Sequence, residues 1–234
     1  MDNRNHDIPN GIDHVRLLDL GALHALKVGE QALKQNEKGN LKFIGVCMTV
    51  LYQAAPPEMS RRGTLARVAV RPRLQPLCSS NSSRKTKIGY YDEALNLVRG
   101  IGEIANLVAL SAVEPDAIKQ WLAADDKARR NKFSPARVRE RLAKTAVMPM
   151  IADADWYGTL CEKYTHVTPN AKPNFHNDER PRCGGFFQEK GLDEVLGNLA
   201  TILGFLAMFV CRFFDFDDLF KEISSMLKDD AAPS

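Results

Sequence analysis

Two cysteines and two histidines lie close together in the stretch CEKYTHVTPNAKPNFHNDERPRC, which runs from Cys161 to Cys183. Zinc is bound in proteins by thiolates and imidazoles, so these residue types suit a metal site. Structural zinc sites usually present their ligands in close pairs, however, and the spacing C-x4-H-x9-H-x6-C contains no such pair. On a helix, Cys161 and His166 would also lie on different faces, because five residues turn the chain by about 500°. We therefore expect no cofactor, and a zinc-containing regulator is a weaker alternative.

His166 is the residue of this stretch that keeps a functional role, since it ends a predicted helix directly before a Thr-Pro break. A histidine there can cap the helix, because the helix dipole favours positive charge at that end. It can also act as a general acid or base, because imidazole titrates near neutral pH.

Arg99 and Glu103 are a second candidate pair, four residues apart on the polar side of another predicted helix. Such a pair can simply be an ion pair that stabilises the helix by roughly 0.2–0.5 kcal/mol. Arg99 could instead face His166 across the bundle and hold an anion such as a phosphate, with Glu103 as a neighbouring binding residue.

The candidate side chains must be positioned by the rest of the chain, and most of it shows helical periodicity. Apolar residues repeat at helical spacing over residues 13–36 and 90–110, and the continuous apolar run 41–54 fits a helix in that context. No segment shows the alternation typical of a strand. The sequence predicts an all-α protein, a multi-helix bundle, with residues 1–234 as a single helical domain.

Shorter helices are expected in the middle of the chain. Pro115 is placed to open one of them at its first helical position, and Pro135 to open a second. Asp153 or Asp155 can cap a third, which runs through WYGTLCEKYTH. The charged stretch KARRNKF, residues 127–133, is predicted to be a connector.

Residues 192–212 predict a long apolar helix, followed by an amphipathic C-terminal helix. The part 195–214 is nearly long enough to span a bilayer. Three polar residues interrupt it: Asn198, Thr201 and Arg212. Because amphipathic helices elsewhere can surround it, we expect a core helix of the bundle, penultimate or last in the chain, and no membrane partner. A membrane-associated protein anchored by this helix is a weaker alternative.

Residues 55–88 are rich in Pro, Arg and Ser and have no sustained period, which predicts a loop or disordered insertion. Residues 54–88 carry a charge of +7, against −4 for the rest of the chain. This segment is a candidate for binding RNA or an acidic partner. Its candidate binding residues are Arg61, Arg62, Arg71 and Arg73. The alternative is a solvated segment without a ligand, because no aromatic side chains are interleaved on which bases could stack.

The five cysteines form no CxxC pair, and the first residues, MDNRNHDIPNGID, are polar and lack an apolar run. Both features favour a cytoplasmic protein with free thiols, since disulfides belong to oxidising compartments and secretory signals carry an apolar segment.

The stretches DEALNLVRGIGEIANLVAL and WYGTLCEKYTHVTPN together resemble bacterial helical proteins of the HEPN (higher eukaryote and prokaryote nucleotide-binding) superfamily and of the abortive-infection type. The resemblance covers roughly residues 13–54 and 90–215. It implies a helical bundle that acts as a binding or oligomeric interaction module, in bacterial stress or phage defence, with a second copy of the chain as its partner.

Active ribonucleases of that superfamily carry an Arg followed, after four to six residues, by a His on one helix. None of the five histidines of this chain is preceded by an Arg at that spacing. We therefore expect a binding module rather than an enzyme. The alternative is a metal-independent endoribonuclease with a composite site, in which Arg99 holds the phosphate, His166 does acid–base work and Tyr164 assists.

Overall fold

The computed structural model describes residues 11–37, 39–54, 85–145, 150, 152–166, 168–169, 172, 174–177 and 184–229. Within these ranges the chain forms nine helices, a helical turn over 85–87 and no strand, which confirms the prediction of an all-α multi-helix bundle. The helices are α1 (Gly11–Gln35), α2 (Asn40–Gln53), α3 (Tyr91–Val113), α4 (Ala117–Ala123), α5 (Asp126–Phe133), α6 (Pro135–Ala143), α7 (Ala154–Tyr164), α8 (Glu189–Phe214) and α9 (Asp217–Asp229).

The core is built around α8, which packs along both α2 and α3. Its apolar side chains Val195, Leu203 and Leu206 are buried, and burial of each stabilises the fold by about 1.5–3 kcal/mol. At Gly204 the helix touches α2 so closely that an added Cβ would lie 2.8 Å from the ring of Phe43. The prediction of a long apolar core helix near the end of the chain is confirmed, and α8 is the penultimate helix of the described chain.

A smaller apolar cluster joins the far end of α3 to α5 and α6. Leu110 of α3 meets Phe133 at the end of α5 and Val138 and Leu142 on α6, and all four side chains are buried. This cluster places α6 beside α3, and α7 packs along α3 as well.

Two helices, α3 and α8, are long and apolar enough to cross a membrane by length and composition. Within the bundle, 61% and 56% of their apolar windows are buried. Core helices of globular bundles pass the same test, so this property does not by itself assign either helix to a bilayer.

The stretch 127–133 is helical, so the prediction of a connector there is wrong. The side chain of Asp125 accepts a hydrogen bond from the backbone N–H of Ala128 at 2.7 Å and caps α5. At the other end, Phe133 is buried under the guanidinium of Arg141, whose Cζ lies 4.9 Å from the ring centroid. A local cap and one apolar anchor stabilise a helix that is otherwise polar.

The prediction that Pro115 occupies the first position of a helix is also wrong, because α4 begins at Ala117. The chain first makes a turn closed by a hydrogen bond from the N–H of Ala117 to the carbonyl of Glu114, at 2.8 Å. Pro135 does open α6, as predicted.

Residues 55–84 lie outside the described residues, and with them the four candidate binding residues of the basic segment: Arg61, Arg62, Arg71 and Arg73. The loop predicted over 55–88 is described only at its end, where residues 85–87 form a helical turn.

Candidate functional site

The polar residues of α3 form one continuous stripe along the helix. Asp92, Asn96, Arg99, Glu103 and Asn106 follow one another at alternating spacings of four and three, which places them on one face. Each of them contacts a residue of segment 152–176, either in α7 or beside it. The polar side of this amphipathic helix therefore packs against another part of the protein.

Arg99 lies at the centre of this stripe. Its Nη1 lies 3.1 Å from Oε1 of Glu103, which confirms the predicted i, i+4 ion pair, and 2.7 Å from the hydroxyl of Tyr157 on α7. The Tyr157 hydroxyl donates in turn to Oε1 of Glu103 at 3.0 Å. Arg99 Nη1 also lies 3.7 Å from Sγ of the buried Cys161. These contacts hold the half-buried guanidinium in one orientation.

Arg139 of α6 adds a second guanidinium. Its Cζ lies 4.4 Å from the ring centroid of Tyr157, and Cζ of Arg99 lies 5.2 Å from the same centroid. The half-buried Arg139 forms no hydrogen bond or ion pair with any residue that the structure describes. The two guanidinium groups carry two positive charges, and the carboxylate of Glu103, bonded to Arg99, carries one negative charge. The net charge of these three side chains is therefore positive.

The protonation states follow from this environment. Burial, then the carboxylate of Glu103, raises the pKa of Tyr157 to about 12, so its hydroxyl stays protonated at neutral pH. Burial alone would lower the pKa of Arg99, but Tyr157 and Glu103 raise it, and the guanidinium stays charged. The site therefore presents two permanent cations beside a neutral phenol.

Asn96 extends this network towards His166. Its Oδ1 accepts hydrogen bonds from Nε of Arg99, at 3.2 Å, and from the hydroxyl of Thr165, at 3.1 Å. His166 follows Thr165 directly; its backbone N–H donates to the carbonyl of Cys161, and its side chain is exposed. Among the described contacts none joins the side chain of His166 to Arg99 or to Asn96, so the structure does not bond the predicted pair to each other.

Tyr164, the third predicted site residue, belongs to a different cluster. Its hydroxyl donates to Oε1 of Glu194 on α8 at 2.7 Å, and its ring stacks on that of His176 with the centroids 5.8 Å apart. Burial, then Glu194, raises its pKa. Tyr164 is therefore poorly placed to exchange a proton with a ligand bound at Arg99.

His176 is the centre of this second cluster. Its Nε2 lies 2.8 Å from Oδ1 of Asp92 and its Nδ1 lies 3.1 Å from Oε2 of Glu194. Its side chain is 2% exposed. Burial alone would lower the pKa of His176, but the hydrogen bonds to Asp92 and Glu194 outweigh it and raise the pKa to about 9. At neutral pH the imidazole is therefore protonated, and both of its ring N–H groups donate hydrogen bonds to carboxylates.

The loop around His176 is held by Gln188. The Oε1 of Gln188 accepts from the backbone N–H of His176 at 3.0 Å, and its Nε2 donates to the carbonyl of Asn174 at 2.9 Å. Its own backbone N–H donates to the hydroxyl of Tyr91 at 3.2 Å. These bonds fix the imidazole between α3 and α8, so the role of His176 is structural.

The sequence placed His176 only in a metal-ligand pattern and missed this role. The sequence feature that could have predicted this role is a carboxylate on each of two apolar helices, Asp92 and Glu194. Such carboxylates need a cationic partner when they are buried. Cys161, a candidate zinc ligand in the sequence, contacts the guanidinium of Arg99. Cys183, the other candidate cysteine, lies outside the described residues. In the described part of the chain no group of three His, Cys, Asp or Glu residues is arranged to hold a metal ion.

Within the described part of this network, the guanidinium pair Arg99 and Arg139 beside Tyr157 is partly exposed to solvent. Its chemistry is that of an anion site, because guanidinium groups bind phosphate or carboxylate through paired N–H donors. No protein-family model, curated protein or solved structure matches this chain.

Proposed function

We propose that this chain is a HEPN-like helical-bundle binding module of the bacterial cytoplasm, which works as a homo-oligomer in stress or phage defence. Its ligand is a phosphate-bearing molecule, most simply RNA, bound at Arg99 and Arg139. The observation that supports this proposal is the convergence of two guanidinium groups on one tyrosine ring, with the carboxylate of Glu103 bonded to Arg99 but not to Arg139.

The two arginines have different tasks in this proposal. Arg99 is held by Asn96, Glu103 and Tyr157, so little side-chain entropy is lost when it meets a ligand. Arg139 is stacked on the ring, and none of its N–H groups is bonded to a described residue. It therefore supplies the donors that a phosphate can take without breaking an existing bond.

The test is binding of a fluorescein-labelled single-stranded RNA, measured by anisotropy at low salt. Arg139→Gln should raise Kd by about tenfold, the loss expected for one charge-assisted contact of about 1.4 kcal/mol. Arg137→Gln is the matched control, since Arg137 lies on the same helix but is exposed and paired with Glu140 at 2.7 Å. Equal affinities of the wild type and Arg139→Gln would exclude the site.

The basic segment would add a second contact to the same RNA. Four of its arginines, Arg61, Arg62, Arg71 and Arg73, are the proposed binding residues. Their replacement by Gln should reduce the salt dependence of RNA binding, because each lost phosphate contact removes counterion release. An unchanged slope of log Kd against log salt would exclude this contact.

A metal-independent endoribonuclease is the alternative, and one contact favours it. Asn96 hydrogen-bonds to both Arg99 and Thr165, and Thr165 precedes the exposed His166. A phosphate bound at Arg99 would therefore lie near the end of α7 that His166 follows. Cleavage of RNA in the presence of a chelator, lost in His166→Ala and kept in Tyr164→Phe, would support an enzyme without Tyr164. Absence of cleavage by the wild type would exclude it.

A further inference from the structure

One face of α1 contacts the turn around Lys87 and the chain around Gly185. Ala25, Gly29 and Leu33 are buried, and the helix backbone at Gly29 approaches the carbonyl of Lys87 so closely that a Cβ would lie 2.6 Å from it. Gly21 is similarly close to the carbonyl of Gly185, at 3.3 Å. This is the face on which α1 contacts the rest of the described chain.

The other face of α1 carries two leucines in solvent. Leu20 is 61% exposed and Leu23 is 57% exposed. In the described part of the chain only Tyr52 is a more exposed large apolar side chain. Because the two leucines are three residues apart, they form one apolar strip, and covering it would contribute about 1.5–3 kcal/mol for each side chain.

Charges lie symmetrically about Leu23. Asp19 precedes it by four residues and Lys27 follows it by four, and both side chains are exposed. A two-fold axis across α1 at Leu23 would bring a second α1 alongside in the antiparallel direction, with residues equally distant from the axis at the same height. Asp19 then faces the partner's Lys27, and the symmetry repeats this pair. A parallel pairing would place like charges together.

We infer that α1 is a homodimer interface, in which two copies of this chain pack antiparallel about Leu23. Leu23 packs on the partner's Leu23 at the axis, each Leu20 lies at the height of the partner's Leu26, and the Asp19–Lys27 pairs flank these contacts. This inference rests on the homo-oligomer of the proposed function and identifies the surface that forms it.

The test is the dimer dissociation constant, measured by sedimentation equilibrium. Leu23→Glu should raise it at least tenfold, because it places two carboxylates against each other at the axis. Asp19→Lys and Lys27→Asp should each raise it as well, since each creates two like-charge pairs. A mixture of these two single variants should dimerise as the wild type does, because every interfacial pair in the mixed dimer is then opposite in charge.

Lys127→Asp is the control for charge reversal at an exposed position on another helix, and should leave the dissociation constant unchanged. A monomeric wild type would overturn the inference, whether the leucine strip stays open or another segment of the chain covers it. A dimer that is insensitive to Leu23→Glu and to the charge reversals would also overturn it, while leaving the homo-oligomer in place. RNA affinity of the same variants reports on the Arg139 site separately.

Discussion

Nε2 of His176 lies 2.8 Å from Oδ1 of Asp92, in a position almost closed to solvent. Asp92 belongs to the first turn of α3, while the other ring nitrogen of His176 bonds to Glu194 on α8. The imidazolium thus joins the two central helices through one buried charge, and the loop that carries it is fixed by the same bonds.

The stability of the fold should therefore fall in alkaline solution. The pKa of His176 is raised from an ordinary value near 6.5 to about 9 in the folded chain. Its contribution is complete below the unfolded pKa, decreases between the two values and is lost as pH rises through 9. The loss should be on the order of 3 kcal/mol, measured as the free energy of unfolding in urea from pH 6 to pH 10.

His176→Gln is the variant that assigns this pH dependence. It should be less stable than the wild type at pH 6, because Asp92 and Glu194 lose their cationic partner, and its stability should change much less between pH 7 and pH 10. A wild-type slope retained in His176→Gln would show that another group titrates.

The hydroxyl of Tyr157 should matter for RNA binding. It accepts from Arg99 and donates to Glu103, so Tyr157→Phe frees Arg99 to adopt other rotamers while the ring stays beneath Arg139. We expect a rise in Kd of about threefold to tenfold, equivalent to about 0.7–1.4 kcal/mol. Anisotropy titration with the same RNA measures it.

Tyr164→Phe is the matched control for that variant, because it also removes a phenol from α7. It deletes the bond to Glu194 and keeps the ring stacked on His176. Stability should fall by about 1 kcal/mol and RNA affinity should stay the same. An equal loss of affinity in both variants would contradict the assignment of Tyr157 to the site.

Two glycines of α3 should respond oppositely to alanine. At Gly102 an added Cβ would lie 2.8 Å from the ring of Trp156 and 3.0 Å from Cβ of Ala152, so Gly102→Ala should cost about 1–3 kcal/mol. At Gly100 the space is open, and Gly100→Ala should stabilise the protein by up to about 1 kcal/mol through helix propensity. Thermal unfolding followed by circular dichroism compares them; stabilisation by both would mean that Trp156 yields freely.

Only one of the two candidate caps of α7 should contribute to stability as a cap. The carboxylate of Asp153 accepts from the N–H of Trp156 at 2.8 Å, whereas Asp155 is the second residue of the helix, within its first turn. Asp153→Ala should lower the free energy of unfolding by about 1 kcal/mol, because it removes the cap. Asp155→Ala should lower it less, because it removes only a favourable interaction with the helix dipole, which contributes about 0.3–1 kcal/mol. Urea denaturation of the two variants side by side gives the comparison, and a larger loss in Asp155→Ala would reverse the assignment.

The sequence predicted the helices whose apolar period is long, because α3 and α8 repeat their pattern over more than twenty residues. It failed at α5, where Phe133 is the one buried residue and the helix depends on the cap at Asp125. A period of 3.6 cannot be recognised from a single apolar side chain, so the charged stretch looked like a connector.

The candidate site was predictable only where its contacts are local. Arg99 and Glu103 are one helical turn apart, and their ion pair follows from spacing. Tyr157 and Arg139 come from other helices, and His176 meets Asp92 across 84 positions of sequence. Such contacts depend on how helices dock and on a loop whose Asn174 has φ of +49°, and neither is written in a local pattern.

A single residue in the left-handed conformation ends the long core helix α8. Asp215 has φ of +58° and separates α8 from α9, which turns back onto α2. A helix running unbroken from Glu189 to Asp229 would be about 60 Å long, twice the thickness of the bilayer's hydrocarbon layer. It would carry Ile223, now fully buried, away from the bundle into water. The left-handed conformation of Asp215 thus lets α9 pack back on the bundle, where Ile223 is buried, instead of extending α8 into solvent.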